Sequence, residues 1–333
     1  MASENCNLAG STVPVGLGQI VVGNGGEKKP MKVLITGSTG LIGSSLVSEL
    51  QRAGHTVCRL IRPASSAGAV RGSEGFDVGW DPATGELGAA ALGADAVVNL
   101  GGASVAKGRW NPKRKQLLRS SRVDTTHALV QALAKMAARP RALVSASAIG
   151  YYGNRGDETL VEQSTPGNDF PADLARDWEA EAIKAEVLGI RVVCVRFGVV
   201  LGRDGGALPM ITRPFRLGLG GRLGSGRQWM SWVALQDAVA ILRLAIENGS
   251  VRGPLNVVSP QPVRNAHFTS CLANVLHRPA LFPAPAFALR IVMGEMADAL
   301  LLASQRVEPA YLKKLGYPFL QPELESALRA ILS

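Results

Sequence analysis

Cysteine is scarce and scattered in this chain. The 333 residues include 4 cysteines, which are Cys6, Cys58, Cys194 and Cys271. None of them forms a Cys-x-x-Cys pair, and no cluster of Cys and His has the spacing of a zinc site. This pattern argues against a disulfide framework and against a metal centre, and it favours a reducing compartment. We therefore expect a cytoplasmic protein without a metal.

Long apolar runs and a high aromatic content are also absent. No uninterrupted apolar stretch approaches the roughly 20 residues that span a bilayer, so no membrane partner is expected. Aromatic residues make up 5% of the chain, and the net charge is +10. That charge attracts phosphates, but the basic residues are spread along the chain without a helix-turn-helix or finger spacing. The composition favours a small-molecule ligand over nucleic acid.

Residues 1–30 have neither helical nor strand periodicity. They contain no arginine, and their charged residues are Glu4, Glu27, Lys28 and Lys29. A mitochondrial transit peptide is rich in arginine, and a secretory signal has a basic start followed by a long apolar core. Because neither pattern occurs, we interpret this segment as a flexible leader and expect the fold to begin at Met31.

The most informative segment that is present runs from Lys32 to Gly43. Residues 32–36 have the β-branched and aliphatic pattern of a buried parallel strand. Glycines follow at the spacing of a tight turn, a close approach to a pyrophosphate and a close helix contact. The next residues begin a helix, whose N-terminus favours an anion. The segment predicts a dinucleotide site made by Gly37, Ser38, Thr39, Gly40, Leu41, Ile42 and Gly43.

The residues after the second strand indicate which dinucleotide is bound. An NAD site usually has an acidic residue about 20 residues after the glycines, on the ribose 2′-hydroxyl. Here no acidic residue occurs between Glu49 and Glu74, whereas Arg62 ends the strand. A guanidinium at that point can hold a 2′-phosphate with paired hydrogen bonds. We predict NADP(H) rather than NAD(H), with a solvated loop charge as the alternative role of Arg62.

Short apolar runs alternate with helical patterns from Met31 to about Arg196, as in a doubly wound parallel sheet. The predicted strands are Lys32–Thr36, Thr56–Arg62, Phe76–Trp80, Asp95–Leu100, Ala142–Ser147, Arg191–Arg196 and Leu255–Val258. The predicted helices are Ile42–Ala53, Lys113–Ala138, Ala172–Leu188, Leu235–Glu247, His267–Leu276, Phe287–Ser304 and Pro322–Leu332. The expected fold is α/β, with a Rossmann-type domain over residues 31–200, return elements near 230–260, and a smaller substrate lobe over residues 201–333.

Ligands of such sheets bind outside the carboxyl ends of the strands. Three predicted strand ends carry suitable segments, which are Asn99–Gly102, Ser145–Gly153 and Arg196–Gly202. All three should border one crevice. The further cofactor-binding residues predicted from them are Leu100, Gly101, Gly102, Ser145, Gly198 and Val199.

With these segments assembled, the chain resembles the extended, epimerase-like branch of the short-chain dehydrogenase/reductase superfamily over nearly all of residues 31–333. Within that branch it looks most like the YfcH-type NAD(P)-binding oxidoreductases, whose plastid relatives are called SulA-like cell-division proteins. The resemblance is carried by Thr36–Gly43, Val98–Gly102, Gly108–Trp110, Ser121–Arg122, Ser145–Gly153, Trp178–Glu179, Arg196–Gly202, Gly205–Gly206, Gly218–Gln228, Gly294–Glu295 and Ser304–Pro309.

The resemblance implies an NADP(H) site and a catalytic serine after the fifth strand, for which Ser147 is the best match. It also implies a Tyr-x-x-x-Lys pair, and this chain lacks one. A phenol with an ordinary pKa near 10 is a poor acid-base catalyst unless a cation stabilises its phenolate. Tyr151 or Tyr152 is then the candidate for proton transfer; alternatively, one packs beneath the loop and the other lines the pocket.

The glycine-rich stretch from Gly218 to Gly226 lacks the ending of a P-loop and is interpreted as a rim over the pocket. Arg222 and Arg227 are candidate ligands for an anionic substrate, with solvated surface charge as the alternative. Trp229 is a weaker candidate, because buried tryptophans more often serve packing.

Two functions follow. The first is an NADP(H)-dependent oxidoreductase or nucleotide-sugar epimerase-like enzyme acting on a hydroxyl- or carbonyl-bearing substrate. The second is a non-catalytic NADP(H)-binding regulator or scaffold, for example in cell division, and the missing Tyr-x-x-x-Lys pair keeps it open.

Overall fold

The computed structural model describes residues 29–61, 76–88 and 91–333 of the chain. Nearly all of the predicted leader lies outside the described residues, and so does Arg62, the residue that supports the prediction of NADP(H). Among the described residues, no helix is both long and apolar enough to cross a membrane.

A twisted, mostly parallel sheet forms the centre of the molecule. Its strands are β1 (Lys32–Thr36), β2 (Thr56–Ile61), β3 (Phe76–Asp81), β4 (Glu86–Leu87), β5 (Ala96–Asn99), β6 (Ala142–Ala148), β8 (Arg191–Phe197) and β12 (Gly253–Val257). Their order is β12-β8-β6-β5-β1-β2-β3-β4, and among these pairs only β3 and β4 are antiparallel. The order reverses between β1 and β5, which is the point where dinucleotides bind in doubly wound sheets. The predicted α/β Rossmann-type fold is confirmed.

Short strands lie outside this sheet. They are β7 (Thr159–Leu160), β9 (Val199–Leu201), β10 (Trp229–Met230), β11 (Trp232–Ala234), β13 (Val263–Arg264) and β14 (Arg306–Val307). They pair as β14 with β7, β11 with β9, and β10 with β13. The first pair joins the C-terminal segment to the segment that follows β6.

Helices cover both faces of the sheet and also pack in a separate cluster outside it. They are α1 (Leu41–Arg52), α2 (Pro112–Ser120), α3 (Val123–Ala134), α4 (Phe170–Ile183), α5 (Leu208–Arg216), α6 (Leu235–Glu247), α7 (Asn265–Leu276), α8 (Ala286–Met293), α9 (Glu295–Ala297), α10 (Ala310–Lys314) and α11 (Leu324–Leu332). Helices α1 and α6 pack on one face of the sheet around Leu46 and Leu242, and α3 packs on the other around Leu129. A separate core around Trp232 and Phe268 joins α5, α7 and α11.

The predicted helix Lys113–Ala138 is wrong, because two helices meet at Ser121 and Arg122. The Ser121 hydroxyl donates to the carbonyl of Leu118 at 3.1 Å and accepts from the Ala103 N–H, also at 3.1 Å. A serine side chain that bonds nearby backbone competes with the helix. The break brings the start of α3 to the carboxyl edge of the sheet.

The predicted helix Phe287–Ser304 is also wrong as one continuous element. Gly294 has φ +64° and separates α8 from α9, and residues 298–302 form a wider π-type turn. A positive φ ends a regular helix, and glycine adopts it without a steric penalty. The segment is broken where its glycine lies.

Candidate active site

The glycine turn between β1 and α1 forms the first wall of the site. Gly37 has φ +66°, and a Cβ there would lie 2.6 Å from the carbonyl oxygen of Leu100. A Cβ on Gly43 would lie 2.2 Å from the carbonyl oxygen of Gly37. Both distances are far shorter than van der Waals contact. The turn can therefore pack against α1 and against the end of β5 only because these two residues are glycine.

Thr36 and Asn99 fix the second wall. The Thr36 hydroxyl accepts from the N–H groups of Leu100 and Gly101, each at 3.1 Å, and donates to Asn99 Oδ1 at 2.8 Å. Asn99 Nδ2 donates to Ser145 Oγ on β6 at 3.3 Å. This buried chain of hydrogen bonds holds the ends of β1, β5 and β6 in register. It thereby sets the predicted cofactor-binding residues of two strand ends beside the glycine turn.

The start of α1 fits a dinucleotide phosphate. Gly40 caps the helix without a side-chain hydrogen bond, and the first turn holds no acidic residue. The Ser38 hydroxyl is buried and has no hydrogen-bond partner among the described residues. A buried polar atom without a partner is costly, and a ligand oxygen at this point would satisfy it. Thr39 and Gly40 are exposed, and Leu41 and Ile42 are partly so.

Gly198 and Val199 directly follow β8, and β9, which begins at Val199, pairs with β11. A Cβ on Gly198 would lie 2.6 Å from the carbonyl oxygen of Ser231, and the N–H of Val199 donates to that oxygen at 2.9 Å. Gly198 therefore permits close packing of β9 and β11. Their role in cofactor binding stays a prediction, as does that of the buried Ser145.

A buried polar network occupies the place where the catalytic groups were predicted. Arg196 and Glu179 form a two-pronged ion pair with N–O distances of 2.7 Å, and their side chains are 4% and 8% exposed. Ser147 donates to the same carboxylate at 2.6 Å. Since the hydroxyl has one proton, this bond leaves Ser147 with no donor for a substrate oxygen.

Tyr152 belongs to the same network. Its hydroxyl donates to Asn256 Oδ1 at 2.7 Å and accepts from Arg196 at 3.0 Å, and the side chain is fully buried. Burial raises the pKa of Tyr152 to about 12, although the cation of Arg196 works in the opposite direction. These contacts favour a packing and positioning role; catalysis by Ser147 or Tyr152 stays a prediction.

Tyr151 differs from its neighbour because its side chain is partly exposed. Its ring lies 3.5 Å, centroid to Cζ, from the Arg196 guanidinium, and it meets Tyr152 edge to face at 5.4 Å. The buried network thus forms a floor against which the ring of the partly exposed Tyr151 packs. Of the three predicted catalytic residues, Tyr151 has the greatest access to a ligand.

Helix α4 contributes no cation on its inner side. Leu174 and Trp178 are both buried and pack against Ala146 of β6. They are four residues apart, which is the spacing of the missing pair. The basic residues of this region, Arg176 and Lys184, are half exposed and pair with acidic neighbours on the surface.

Trp229 lies within a basic cluster. Arg264 and Arg306 place their guanidinium carbons 4.2 and 4.8 Å from its ring centroid. Its indole N–H donates to Asp157 at 3.0 Å, and the bonds from Arg264 and Trp229 hold the pKa of Asp157 below its ordinary value. The buried Nε of Arg306 has no hydrogen-bond partner among the described residues. Arg227 is exposed nearby and contributes to that pKa shift.

Ser304 and Gln305 contact the loop that carries Tyr151, although neither is among the predicted site residues. Ser304 donates to the Gly156 carbonyl at 2.6 Å, and the Gln305 amide donates to the carbonyls of Ile149 and Gly153 at 3.1 and 3.0 Å. The C-terminal segment therefore braces the loop that carries Tyr151. The Ser304–Pro309 segment is one of those that carry the family resemblance, so the sequence marks it. Its place against this loop depends on the pairing of β14 with β7, which the sequence does not show. Arg222, by contrast, is exposed at the rim.

The fold and the glycine turn define a Rossmann-type dinucleotide-binding protein. A model of the NAD dependent epimerase/dehydratase family matches residues 33–258, and a model of a domain of unknown function matches residues 284–331. An epimerase family protein of Mycobacterium bovis is 43% identical over 299 residues, which are 89% of this chain and 96% of the relative.

Two solved structures extend this likeness. The crystal structure of a human epimerase family protein with NADPH is 35% identical with a TM-score of 0.79, over 90% of this chain and 99% of that one. A nucleoside-diphosphate sugar epimerase from Corynebacterium glutamicum is 35% identical with a TM-score of 0.73, over 92% of this chain and 59% of that one. The chain belongs to the NAD dependent epimerase/dehydratase family.

Proposed function

We propose that the protein binds NADP(H) across the ends of β1 and β5 and is an oxidoreductase acting on a small, anionic substrate that carries a hydroxyl or carbonyl group. The observation that carries the cofactor part is the glycine turn, where Gly37 and Gly43 leave no room for a Cβ and Ser38 has an unsatisfied buried hydroxyl. The bound nicotinamide supplies hydride transfer.

The preference for NADP(H) has two supports. The described part of β2 contains no acidic residue that would meet a ribose 2′-hydroxyl. The human relative with 35% identity was crystallised with NADPH. The predicted contribution of Arg62 is part of this proposal.

Residues of the chain itself supply proton transfer and substrate binding in this proposal. Tyr151 is our candidate for proton transfer, since it is partly exposed above a floor held rigid by Arg196 and Glu179. Arg227 and Arg306 supply positive charge for the substrate, Arg264 pairs with Asp157 beside them, and Trp229 offers a ring surface among them. This basic cluster supports an anionic substrate, of which a nucleoside diphosphate sugar is one example.

The second candidate function is NADP(H) binding without catalysis. It is favoured by the inner side of α4, where the apolar Leu174 and Trp178 replace acid-base groups. The proton of Ser147 is committed to Glu179, which favours it further.

The test combines binding with turnover. Full-length protein is titrated with NADPH and NADH by calorimetry, and then incubated with NADPH and a panel of nucleotide-sugars, ketones and quinones while nicotinamide absorbance and product stereochemistry are followed. We expect NADPH to bind at least ~10-fold more tightly than NADH, since charge-assisted bonds to a 2′-phosphate contribute about 1.5–3 kcal/mol. On any substrate found, Tyr151→Phe should reduce turnover at least ~100-fold with NADPH affinity unchanged.

The matched control is Tyr311→Phe, because this hydroxyl donates to the carbonyl of Ser250 on the surface. Full turnover by Tyr151→Phe would remove Tyr151 from the mechanism. Tight NADPH binding with no turnover on the whole panel would favour the non-catalytic function.

A further inference from the structure

Two arginines, Arg114 and Arg122, lie beside the predicted cofactor loop. Arg122 donates to the carbonyls of Ala103 and Leu118 at 2.9 and 3.2 Å, and Arg114 donates to the carbonyl of Ser104. In the described part of the chain neither has a carboxylate within salt-bridge distance. The buried Nε of Arg114 has no hydrogen-bond partner there either. The pair therefore concentrates positive charge for which the described residues supply no counter-ion.

This arrangement is unfavourable in isolation. Arg122 lies at the N-terminus of α3, where the helix dipole already favours negative charge. Burial and, to a smaller extent, the neighbouring charge of Arg114 together lower the pKa of Arg122 to about 10. Two such cations persist more readily if a ligand supplies the missing negative charge.

The position of the pair indicates where that ligand lies. The guanidinium of Arg122 is packed against Gly102, since a Cβ there would lie 3.1 Å from its Cζ. Gly101 in turn adjoins the glycine turn, because a Cβ on Gly37 would lie 3.0 Å from its N atom. The charge therefore borders the carboxyl edge of the sheet at the point where its strand order reverses. Gly102 itself is exposed, so a ligand can reach the loop.

Neighbouring side chains orient Arg122 toward this loop. Its Cζ lies 5.3 Å from the ring centroid of Trp178, which is buried on the inner side of α4. The Trp178 indole N–H donates to Thr126 at 2.9 Å, so the ring is fixed. Arg122, at the start of α3, thus places a positive charge beside this loop, whereas the neighbouring residue of α4 is the uncharged Trp178.

We propose that Arg114 and Arg122 form an anion-binding site for a negatively charged oxygen group, phosphate or carboxylate, bound over Gly101 and Gly102. This site rests on the proposed cofactor site. It adds two arginines that neutralise a negative charge bound beside Gly101 and Gly102. The anion is either a phosphate on the nicotinamide side of the cofactor or an acidic group of the substrate. Arg122 also positions the loop through its bond to Ala103.

The experiment measures binding of three probes by calorimetry at two salt concentrations. The probes are NADPH, adenosine 2′,5′-bisphosphate, which lacks the nicotinamide side, and inorganic pyrophosphate added to the NADPH-loaded protein. The variants are Arg122→Gln, Arg114→Gln and the conservative Arg122→Lys. Lys113→Gln is the matched control, because it removes one exposed charge from the same helix. Thermal unfolding of each variant without ligand reports a purely structural role.

Either of two results supports the site. If the anion belongs to the cofactor, Arg122→Gln weakens NADPH binding ~10-fold or more and leaves adenosine 2′,5′-bisphosphate unchanged. If it belongs to the substrate, NADPH binding is retained, and pyrophosphate binding is lost in Arg122→Gln and Arg114→Gln. In both cases Arg122→Lys recovers most of the affinity, and the variants reduce the salt dependence of binding.

Unchanged affinity for all three probes in both glutamine variants would overturn the site. So would an equal loss for NADPH and adenosine 2′,5′-bisphosphate together with a lowered unfolding temperature, since that pattern indicates a structural role. If Arg122→Gln does not fold, Arg114→Gln decides the question. Failure of the wild-type protein to bind NADPH would instead contradict the proposed function.

Discussion

The two sides of the crevice are built on different principles. On the β1 side, the glycine turn allows a close approach, and the buried Ser38 hydroxyl has no partner among the described residues. On the β6 and β8 side, Ser147, Tyr152, Arg196 and Glu179 satisfy one another and are almost fully buried. The β1 side therefore has a polar group available to a ligand, whereas the polar groups of the β6 and β8 side are already paired with one another. Cofactor binding and catalysis are therefore separable properties of this fold, and substitutions on the two sides should affect different measurements.

The largest expected effect is on the rigid side. Glu179→Gln leaves Arg196 as a buried charge with its partner removed, which should lower the free energy of unfolding by about 3–5 kcal/mol. Chemical denaturation checks this. Glu325→Gln removes the acidic partner of the exposed Arg329, and its effect should stay below about 1 kcal/mol. Equal losses in the two variants would show that the buried network is not a stabilising unit.

On the binding side, Gly43→Ala should chiefly affect affinity. Its Cβ would overlap the carbonyl oxygen of Gly37, so the turn must open. We expect NADPH affinity to fall at least ~100-fold, or about 3 kcal/mol, in a calorimetric titration. Gly249→Ala is the control, since no atom lies within 4 Å of a Cβ at that position. Retained affinity in Gly43→Ala would mean that the turn does not hold the cofactor.

Tyr152→Phe should have a smaller effect, on stability rather than on binding. It removes hydrogen bonds to Asn256 and Arg196 and should cost about 1–2 kcal/mol. The pKa of Tyr152 is raised in the folded state from 10.0 to about 12. Its contribution is therefore complete below pH 10 and lost as the pH rises from about 10 to 12.

Denaturation curves at pH 8 and pH 11 test this dependence. The wild-type protein should lose more stability over that interval than Tyr152→Phe does. The same loss in both proteins would show that Tyr152 is not the group that titrates.

The smallest expected effect is that of Ser38→Ala, which should change NADPH affinity more than the free energy of unfolding. Ser38→Ala removes a buried hydroxyl that has no partner in the described structure, so the free protein should lose no more than about 0.5 kcal/mol. NADPH affinity should fall about 2- to 10-fold, the effect of one hydrogen bond. Unchanged affinity would place the dinucleotide elsewhere.

Sequence patterns predicted the sheet well because buried parallel strands are short, apolar and locally encoded. The bounds of β1 agree with the prediction, and those of β6 and β8 differ by one residue. The two wrong helices had a different cause. The apolar periodicity continues through Ser121 and Gly294, but a side-chain bond at one and a positive φ at the other end the helices.

The sequence predicts the part of the site that is formed by a local turn. It predicts less of the part formed by residues that are far apart in the sequence and meet only in the folded chain. The glycine turn lies in one segment, so its spacing indicated its geometry. Ser147 matches the serine position that the resemblance implies, but a motif does not show its contact with Glu179, 32 residues later, and its catalytic role stays a prediction. Arg122 and Arg306 lie in segments that carry the resemblance, yet only the three-dimensional structure shows that neither forms an ion pair with another described residue.

Hydrogen–deuterium exchange on the full chain, with and without saturating NADPH, tests the central claim most directly. We predict that NADPH protects the segments around residues 37–46 and 99–105, while exchange in the β6–β8 network, which is already rigid, changes little. Saturable NADPH binding without protection of the glycine turn would contradict this account.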